Sequence, residues 1–227
     1  MPGTDSGITG YIFSMLKKYT TIIWDWNGTL LNDVDICISS MNKLLTHRRL
    51  PLLDTEKYRQ IFTFPVRDYY EKAGFDFTIE PFETPAMQFI ENYRGSLPEA
   101  TLQEGAKEAL MFFSDRKTEQ SVLSVMEQQL LINSVKGFGI ENYFGRISGI
   151  DNHYGSGKTE LAIRTLKEVK ERKENILLIG DTLHDHEVAS ATGIGCILVA
   201  HGHQSPERLS TSGREVVNNF EELLSLF

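Results

Sequence analysis

The chain has 227 residues, 23 Lys or Arg against 31 Asp or Glu, for a formal net charge of −8; that acidic balance argues against a nucleic-acid binder, whose phosphate contacts need a basic face. Hydrophobic residues at 41% and charged residues at 24% exclude a disordered or fibrous chain and suit one or two compact domains. Cys37 and Cys196 are far apart and lack C-x-x-C spacing, so neither a thiolate zinc site nor a disulfide framework is expected and a reducing cytoplasm is the default.

Residues 1–14 are rich in Gly, Ser and Thr and have no basic region followed by an apolar stretch, so they read as an extension without chemistry rather than a signal peptide. Met15, followed by Leu16-Lys17-Lys18, is a natural start. Thr20-Thr21-Ile22-Ile23-Trp24 is a β-branched and aromatic run ending in Asp25, which predicts a strand buried on both faces. Trp24 and Trp26 alternate around Asp25 and are expected to pack on the two faces of the sheet. Val34, Ile38, Met41 and Leu45 then follow helical spacing, with Asn32 or Asp33 placed to cap. Five of the seven prolines, Pro51, Pro65, Pro81, Pro85 and Pro98, break up residues 33–98. This stretch is predicted to be an inserted, mainly helical domain, because strand-and-helix alternation resumes after it.

The resumed pattern predicts strands at Gln120–Ser124, Arg146–Ser148, Asn175–Gly180 and Gly195–Ala200. Helices are predicted at Met126–Lys136, Thr159–Lys173, His184–Thr192, where Gly193 stops the chain, and Glu221–Phe227. Strands separated by helices imply parallel pairing, so the predicted fold class is α/β, a doubly wound parallel sheet. Its core takes in 15–32 and 99–227, with a cap over 33–98. The longest apolar run, around Ile176–Ile179, is strand-sized, well short of the roughly 20 residues that span a bilayer, and no membrane partner is expected.

Ligands of doubly wound sheets gather beyond the carboxyl ends of the strands. Asp25, Ser124 and Asp181 stand at three such ends, with Asp185 one helical turn later and Lys158 at a helix start. Facing carboxylates repel unless a cation or proton lies between them, and hard oxygen ligands suit Mg²⁺. A carboxylate nucleophile, a metal and donors for phosphate oxygens together fit phosphoryl transfer.

The order of these residues resembles the haloacid dehalogenase-like hydrolase superfamily. Asp25-Trp26-Asn27-Gly28-Thr29-Leu30 is similar to its DxDGT[LV] motif. Ser124 matches the Ser or Thr that closes an apolar strand, Lys158 the third-motif lysine, and Gly180-Asp181-Thr182-Leu183-His184-Asp185 the GDxxxD motif. The likeness covers about residues 19–227. The helical insertion resembles the superfamily's type-1 cap, and Phe64-Pro65-Val66-Arg67 before a helix resembles the phosphoglycolate-phosphatase-like branch.

The resemblance implies a Mg²⁺-dependent phosphatase acting on a small phosphorylated metabolite. Asp25 attacks phosphorus to give an aspartyl-phosphate, and Ser124 and Lys158 hold the transferring oxygens. Mg²⁺ sits on Asp25, Asp181 and the backbone carbonyl of Asn27, with Asp185 orienting the metal shell. Gly28 permits the sharp turn, Thr29 fixes it, and Arg67 is a candidate substrate contact. The family's acid two residues after the nucleophile is replaced here by Asn27, whose amide cannot exchange that proton. General acid-base help is typically worth about 10²–10⁴ in rate. The replacement therefore predicts a slow enzyme, a substrate with a good leaving group, or a proton from elsewhere, with His184 the nearest candidate. The alternative of another class is a weakly active or inactive phosphate-ligand binding or regulatory protein on the same fold.

Blander readings stand beside these. Asn27-Gly28 is also a hairpin signal, but a helix follows it. Gly155-Ser156-Gly157-Lys158-Thr159 looks like part of a P-loop, but the first glycine of that pattern falls on Asn152. His201 and His203 read as structural or solvated, and the oligomeric state is left open.

Overall fold

A computed structural model of the protein describes residues 19–150 and 157–227. The extension over residues 1–14, the start at Met15, and Asn152, Gly155 and Ser156 of the P-loop comparison lie outside the described residues.

The strands are β1 (Thr21–Trp24), β2 (Leu31–Asn32), β3 (Thr101–Leu102), β4 (Glu119–Glu127), β5 (Arg146–Ile150), β6 (Ile176–Gly180), β7 (Gly195–Val199) and β8 (Glu215–Val217). Between β2 and β3 run four helices, α1 (Val34–Arg48), α2 (Thr55–Ile61), α3 (Val66–Lys72) and α4 (Glu83–Ser96). The remainder are α5 (Ala106–Asp115), α6 (Gln128–Gly137), α7 (Lys158–Glu168), α8 (Leu183–Thr192), α9 (Pro206–Ser210) and α10 (Phe220–Ser225).

Six strands form one sheet in the order β5-β4-β1-β6-β7-β8, every pair parallel. The α/β expectation holds. β1 is central: Ile23 lies opposite Ser121 of β4 and Leu178 of β6. The chain fills one side of β1 with β4 and β5, then crosses to the other with β6, β7 and β8. The neighbours of β1 thus run off in opposite directions, and the crevice beyond their carboxyl ends is where such sheets bind ligands.

Period-two alternation divides β1 between two cores. Ile22 and Trp24 face a layer with Phe113 of α5, Leu131 and Val135 of α6, and Phe220 of α10. Ile23 faces the opposite layer with Leu161 of α7, Val188 of α8 and Leu209 of α9. Trp24 meets Phe113 and Phe220 edge-on, with ring centroids 5.7 and 5.8 Å away, and its indole N–H donates to Gln120 Oε1 at 2.9 Å. Trp26, two residues on, belongs to the same layer as Trp24 and lies against Phe138. The expectation of one tryptophan on each face is therefore corrected: residues two apart in an extended chain share a face.

Other differences concern length. β4 continues to Glu127, so the next helix starts at Gln128 instead of Met126, with the Glu127 carboxylate accepting from the amides of Gln129 and Leu130 at 2.8 and 3.0 Å. α7 ends at Glu168, where Val169 turns extended, rather than at Lys173. α5 and β8 were not among the expected elements; α5 buries Ala106, Ala109, Leu110 and Phe113 on one face. The chain leaves for α1 along β2 and returns along β3, an antiparallel pair with Leu31 opposite Leu102. Asn27-Gly28 thus turns the chain toward β2 without forming a hairpin with β1.

Candidate active site

β1 ends at Trp24, so Asp25 is the first residue past the strand and its amide donates to Ile179 O of β6 at 2.8 Å. Gly28 has φ +75°, and a Cβ there would lie 2.2 Å from Asp181 Oδ2 and 2.5 Å from the ring of His203. Both the backbone conformation and the crowding demand glycine. Thr29 Oγ1 reaches Asp181 Oδ1 at 3.0 Å and Asp25 Oδ2 at 3.3 Å, tying the ends of β1 and β6 together.

Lys158, at the start of α7, is buried and bonds both to Asp25 Oδ1 and to Asp185 Oδ1, the latter at 2.5 Å. The other oxygen of Asp185 accepts from the amide and hydroxyl of Thr182 at 3.0 and 2.7 Å. Asp25, Asp181 and Asp185 bring ligand atoms within 4.8 Å of one another. Asp181 and Asp185 are wholly buried while Asp25 retains 5% exposure, and of the three it is Asp25 that lines the adjoining cavity.

The electrostatics follow from burial. Loss of water pushes the Asp25 carboxyl well up from the usual range; Lys158 opposes this, and Asp185 and Asp181 add to it. Burial likewise lifts Asp181 to about 6, against the pull of His203. For Lys158 burial acts downward, but Asp185 and Asp25 together hold its ammonium above the ordinary lysine range. Burial would raise Asp185 too, yet Lys158 and the Thr182 bonds keep it low. Two carboxyls therefore tend toward protonation in the protein alone. A divalent cation relieves the same repulsion without a proton, and an all-oxygen donor set suits a hard ion. The residues present fit such a metal, since Asp25, Asp181 and Asp185 offer carboxylate oxygens close enough together to share one ion.

Asn27 is fixed from both ends. Its amide nitrogen donates to Asp33 Oδ2 at 2.7 Å and to Tyr93 Oη at 2.8 Å, and its carbonyl oxygen accepts from Ser124 Oγ at 3.2 Å. Ser124, buried in β4, accepts in turn from the Met126 amide at 3.0 Å. Asp33 stands at the N-cap of α1, but its side chain makes no cap bond. It turns back to accept from Gly28 N at 3.0 Å and Tyr93 Oη at 2.7 Å, with His203 Nε2 3.4 Å away. Burial alone would raise Asp33; His203, Tyr93 and Asn27 hold it below the usual carboxylate range. His203 experiences the converse: burial pulls it down, but Asp33 first and Asp181 next lift it to about 9. A charged imidazolium thus lies beside two carboxylates.

The other predicted residues separate. Asp25, Asn27, Gly28, Thr29, Ser124, Lys158, Asp181 and Asp185 converge on one site. Arg67 does not join them. It lies on α3, 53% exposed at the side chain, paired with Glu71 at 3.2 Å and stacked 4.7 Å from the Phe77 ring, because α3 turns its tyrosines, Tyr69 and Tyr70, inward. His184 lines the cavity, stacked on Phe64 with centroids 4.8 Å apart and its Nδ1 3.1 Å from Glu187. His201 donates from Nε2 to Thr29 O at 3.0 Å; burial lowers it to about 4, so it is neutral and structural.

Sequence reading took Asp33 as no more than a cap and His203 as structural or solvated, and missed Tyr93 altogether. Asp33 was visible only through its distance from Asn27, and His203 arrives from the loop after β7, 170 residues further on in the sequence.

The profile of the haloacid dehalogenase-like hydrolase family matches residues 22–199. The chain is 22% identical over 219 residues to a phosphoglycolate phosphatase of Chromobacterium violaceum, covering 93% of this chain and 97% of the relative. It is also 22% identical over 201 residues to the tyrosine-protein kinase PtkA of Mycobacterium tuberculosis, covering 87% of this chain and 68% of that one. A solved haloacid dehalogenase-like hydrolase from Streptococcus pneumoniae superposes with a TM-score of 0.79 at 19% identity, over 92% of this chain and 98% of the other. No helix among the described residues is long and apolar enough to cross a membrane. With the matched segment running from inside β1 to the end of β7 and so enclosing the whole cluster from Asp25 to Asp185, the chain belongs to the haloacid dehalogenase-like hydrolase family.

Proposed function

We propose that the protein is a divalent-metal-dependent phosphoric monoester hydrolase in which Asp25 is the nucleophile. The observation that carries this is the position of Asp25: of three buried carboxylates within bonding reach of one cation, it is the one that faces the cavity. An Asp25 oxygen attacks phosphorus, the bond from phosphorus to the ester oxygen breaks, and an aspartyl-phosphate forms while the alcohol departs with both bonding electrons. Water then attacks the same phosphorus, releasing inorganic phosphate and the Asp25 carboxylate.

Lys158 keeps a positive charge against the attacking oxygen, and its second bond, to Asp185, fixes that charge in place. Ser124, whose hydroxyl donates to Asn27 Oδ1 and accepts from the Met126 amide, is the candidate second holder of a phosphate oxygen. Asp25, Asp181 and the Asn27 backbone carbonyl would hold Mg²⁺, which would screen phosphate charge at the nucleophile. Asn27 has no proton to give and Asp33 is saturated with donors, so neither of these two neighbours of Asp25 protonates the departing alkoxide. Helices α1–α4 act as the cap, latched where Arg59 of α2 donates to Gly202 O and His201 O at 2.9 and 2.8 Å. The name carried by the Chromobacterium relative supports phosphate monoesters as the substrate class. The test is phosphate release from a generic aryl phosphate with Mg²⁺ and with chelator: release that requires the metal is expected, and metal-independent release removes the reading.

A further inference from the structure

The cavity above Asp25 encloses about 760 Å³, ample for a drug-sized organic group. Its wall is apolar. Phe64, Tyr69, Phe82, Phe89 and Ile90 come from the helical cap and Leu130 from α6. Tyr69 and Phe64 both pack on Phe62, with centroids 5.3 and 5.5 Å away, and Phe89 stacks on Tyr93 at 6.0 Å. The rings therefore hold one another as a fixed surface.

Charge on this wall runs the wrong way for a second anion. Away from the catalytic cluster the described lining carries three carboxylates, Glu83, Glu127 and Glu187, the last 3.1 Å from His184 Nδ1, against one guanidinium, Arg94. A short substrate bearing its own carboxylate meets more acidic than basic side chains along this wall, and desolvating that carboxylate is costly. An aromatic body gains instead, by area and by ring-edge and ring-face contact.

Asn27 points the same way independently. Its amide is bonded at both ends and offers no transferable proton, so the site favours a leaving group that departs as an anion. A phenol ionises near pH 10, as tyrosine does, roughly six units below an alcohol of water-like acidity.

Resting on the hydrolase reading above, we infer that the substrate is an aryl phosphate monoester, the phosphate of an uncharged, largely apolar phenol seated against the ring wall of the cap.

The experiment is a steady-state series on the full chain with Mg²⁺. Phenyl and 1-naphthyl phosphate share a leaving-group class and differ in apolar area; KM is expected to fall about tenfold for the naphthyl ester. Phenyl and benzyl phosphate are close in size and differ in leaving group; kcat for the benzyl ester is expected to be lower by at least about 10²-fold. 2-Phosphoglycolate, small and doubly anionic, is expected to fall at least about 10²-fold below phenyl phosphate in kcat/KM. A binding readout accompanies the kinetics: 1-naphthylphosphonate is expected to raise the thermal midpoint and phosphonoacetate at equal concentration to leave it unmoved. Ile90→Lys, at a half-buried wall position, is expected to erase the naphthyl advantage. Equal KM for phenyl and naphthyl esters, or 2-phosphoglycolate matching phenyl phosphate, overturns the aryl assignment while leaving the hydrolase reading intact. Absence of turnover for every ester, with naphthylphosphonate still binding, overturns the hydrolase reading and keeps the wall's preference.

Discussion

The floor and the roof of the cavity are built on opposite principles. The floor, at the ends of β1, β4 and β6, is a lattice of charges in which nearly every oxygen is committed: Asp185 to Lys158 and Thr182, Asp181 to Thr29 and the His203 amide, Asn27 to Asp33 and Ser124. The roof, on α3 and α4, is held by ring packing and presents hydrocarbon. A floor of this kind fails when one atom is exchanged. A roof of this kind tolerates exchange of size and responds to a change of polarity, since shape is shared among many weak contacts.

The sharpest way to separate the two is to remove one floor oxygen. Asp25→Asn is expected to lower turnover at least about 10³-fold, roughly 4 kcal/mol of barrier, with far-UV circular dichroism unchanged, because the amide fills the same space but does not attack phosphorus. A variant within tenfold of wild type ends the nucleophile assignment.

Next comes pH. His203 has a folded pKa of about 9, lifted by Asp33 and Asp181 over the opposing effect of burial, against roughly 6.5 in the unfolded chain. A raised pKa gives stability that is whole below about pH 6.5 and is lost as pH climbs through about 9, an upper bound of about 3 kcal/mol. The thermal midpoint is expected to drop over that window, and His203→Gln is expected to flatten the drop. An identical slope in the variant would place the titration elsewhere.

Asn27→Asp comes third. It replaces the donor 2.7 Å from Asp33 Oδ2 with a second carboxylate, so one of the pair must carry a proton and its pKa rises. A raised acid destabilises once the pH exceeds its unfolded value, so the variant is expected to lose about 1–3 kcal/mol near neutrality and to regain it as pH falls toward 4. Paired melting curves at pH 4.5 and 7.5 measure this; a constant difference would mean the charges do not meet. The smallest effect belongs to Arg67→Ala on the outer surface of the roof. Stability is expected to stay within about 0.5 kcal/mol and KM within twofold, and a larger KM change would return Arg67 to the substrate.

Much of the floor was legible before any coordinates because a parallel sheet dictates where strand ends go. Once Ile22, Ile23 and Trp24 mark β1 and Ile176–Ile179 marks β6, Asp25 and Asp181 both stand at carboxyl ends of the sheet, and Gly28, where a Cβ would strike Asp181, shows how tightly the chain passes there. Asp33, Tyr93 and His203 were not legible, since their meeting depends on how α1, α4 and the loop after β7 dock, and no local period encodes that. Arg67 failed for a related reason. Its motif placed it near the site, but the direction a helix faces is decided by which residues it buries, and α3 buries Tyr69 and Tyr70. β8 escaped notice because three residues at a sheet edge leave too short an alternation to read.

The twofold grip on Asn27 has a consequence for how this site can change over generations. Positions 27 and 33 form an exchangeable pair: an ionised carboxylate fits at either one, and two together force a proton onto the pair. An aspartate at 27 stands beside Asp25 with one charge on the pair only where position 33 is neutral, so the double variant Asn27→Asp, Asp33→Asn keeps the single negative charge that Asn27→Asp alone doubles and Asp33→Asn alone removes.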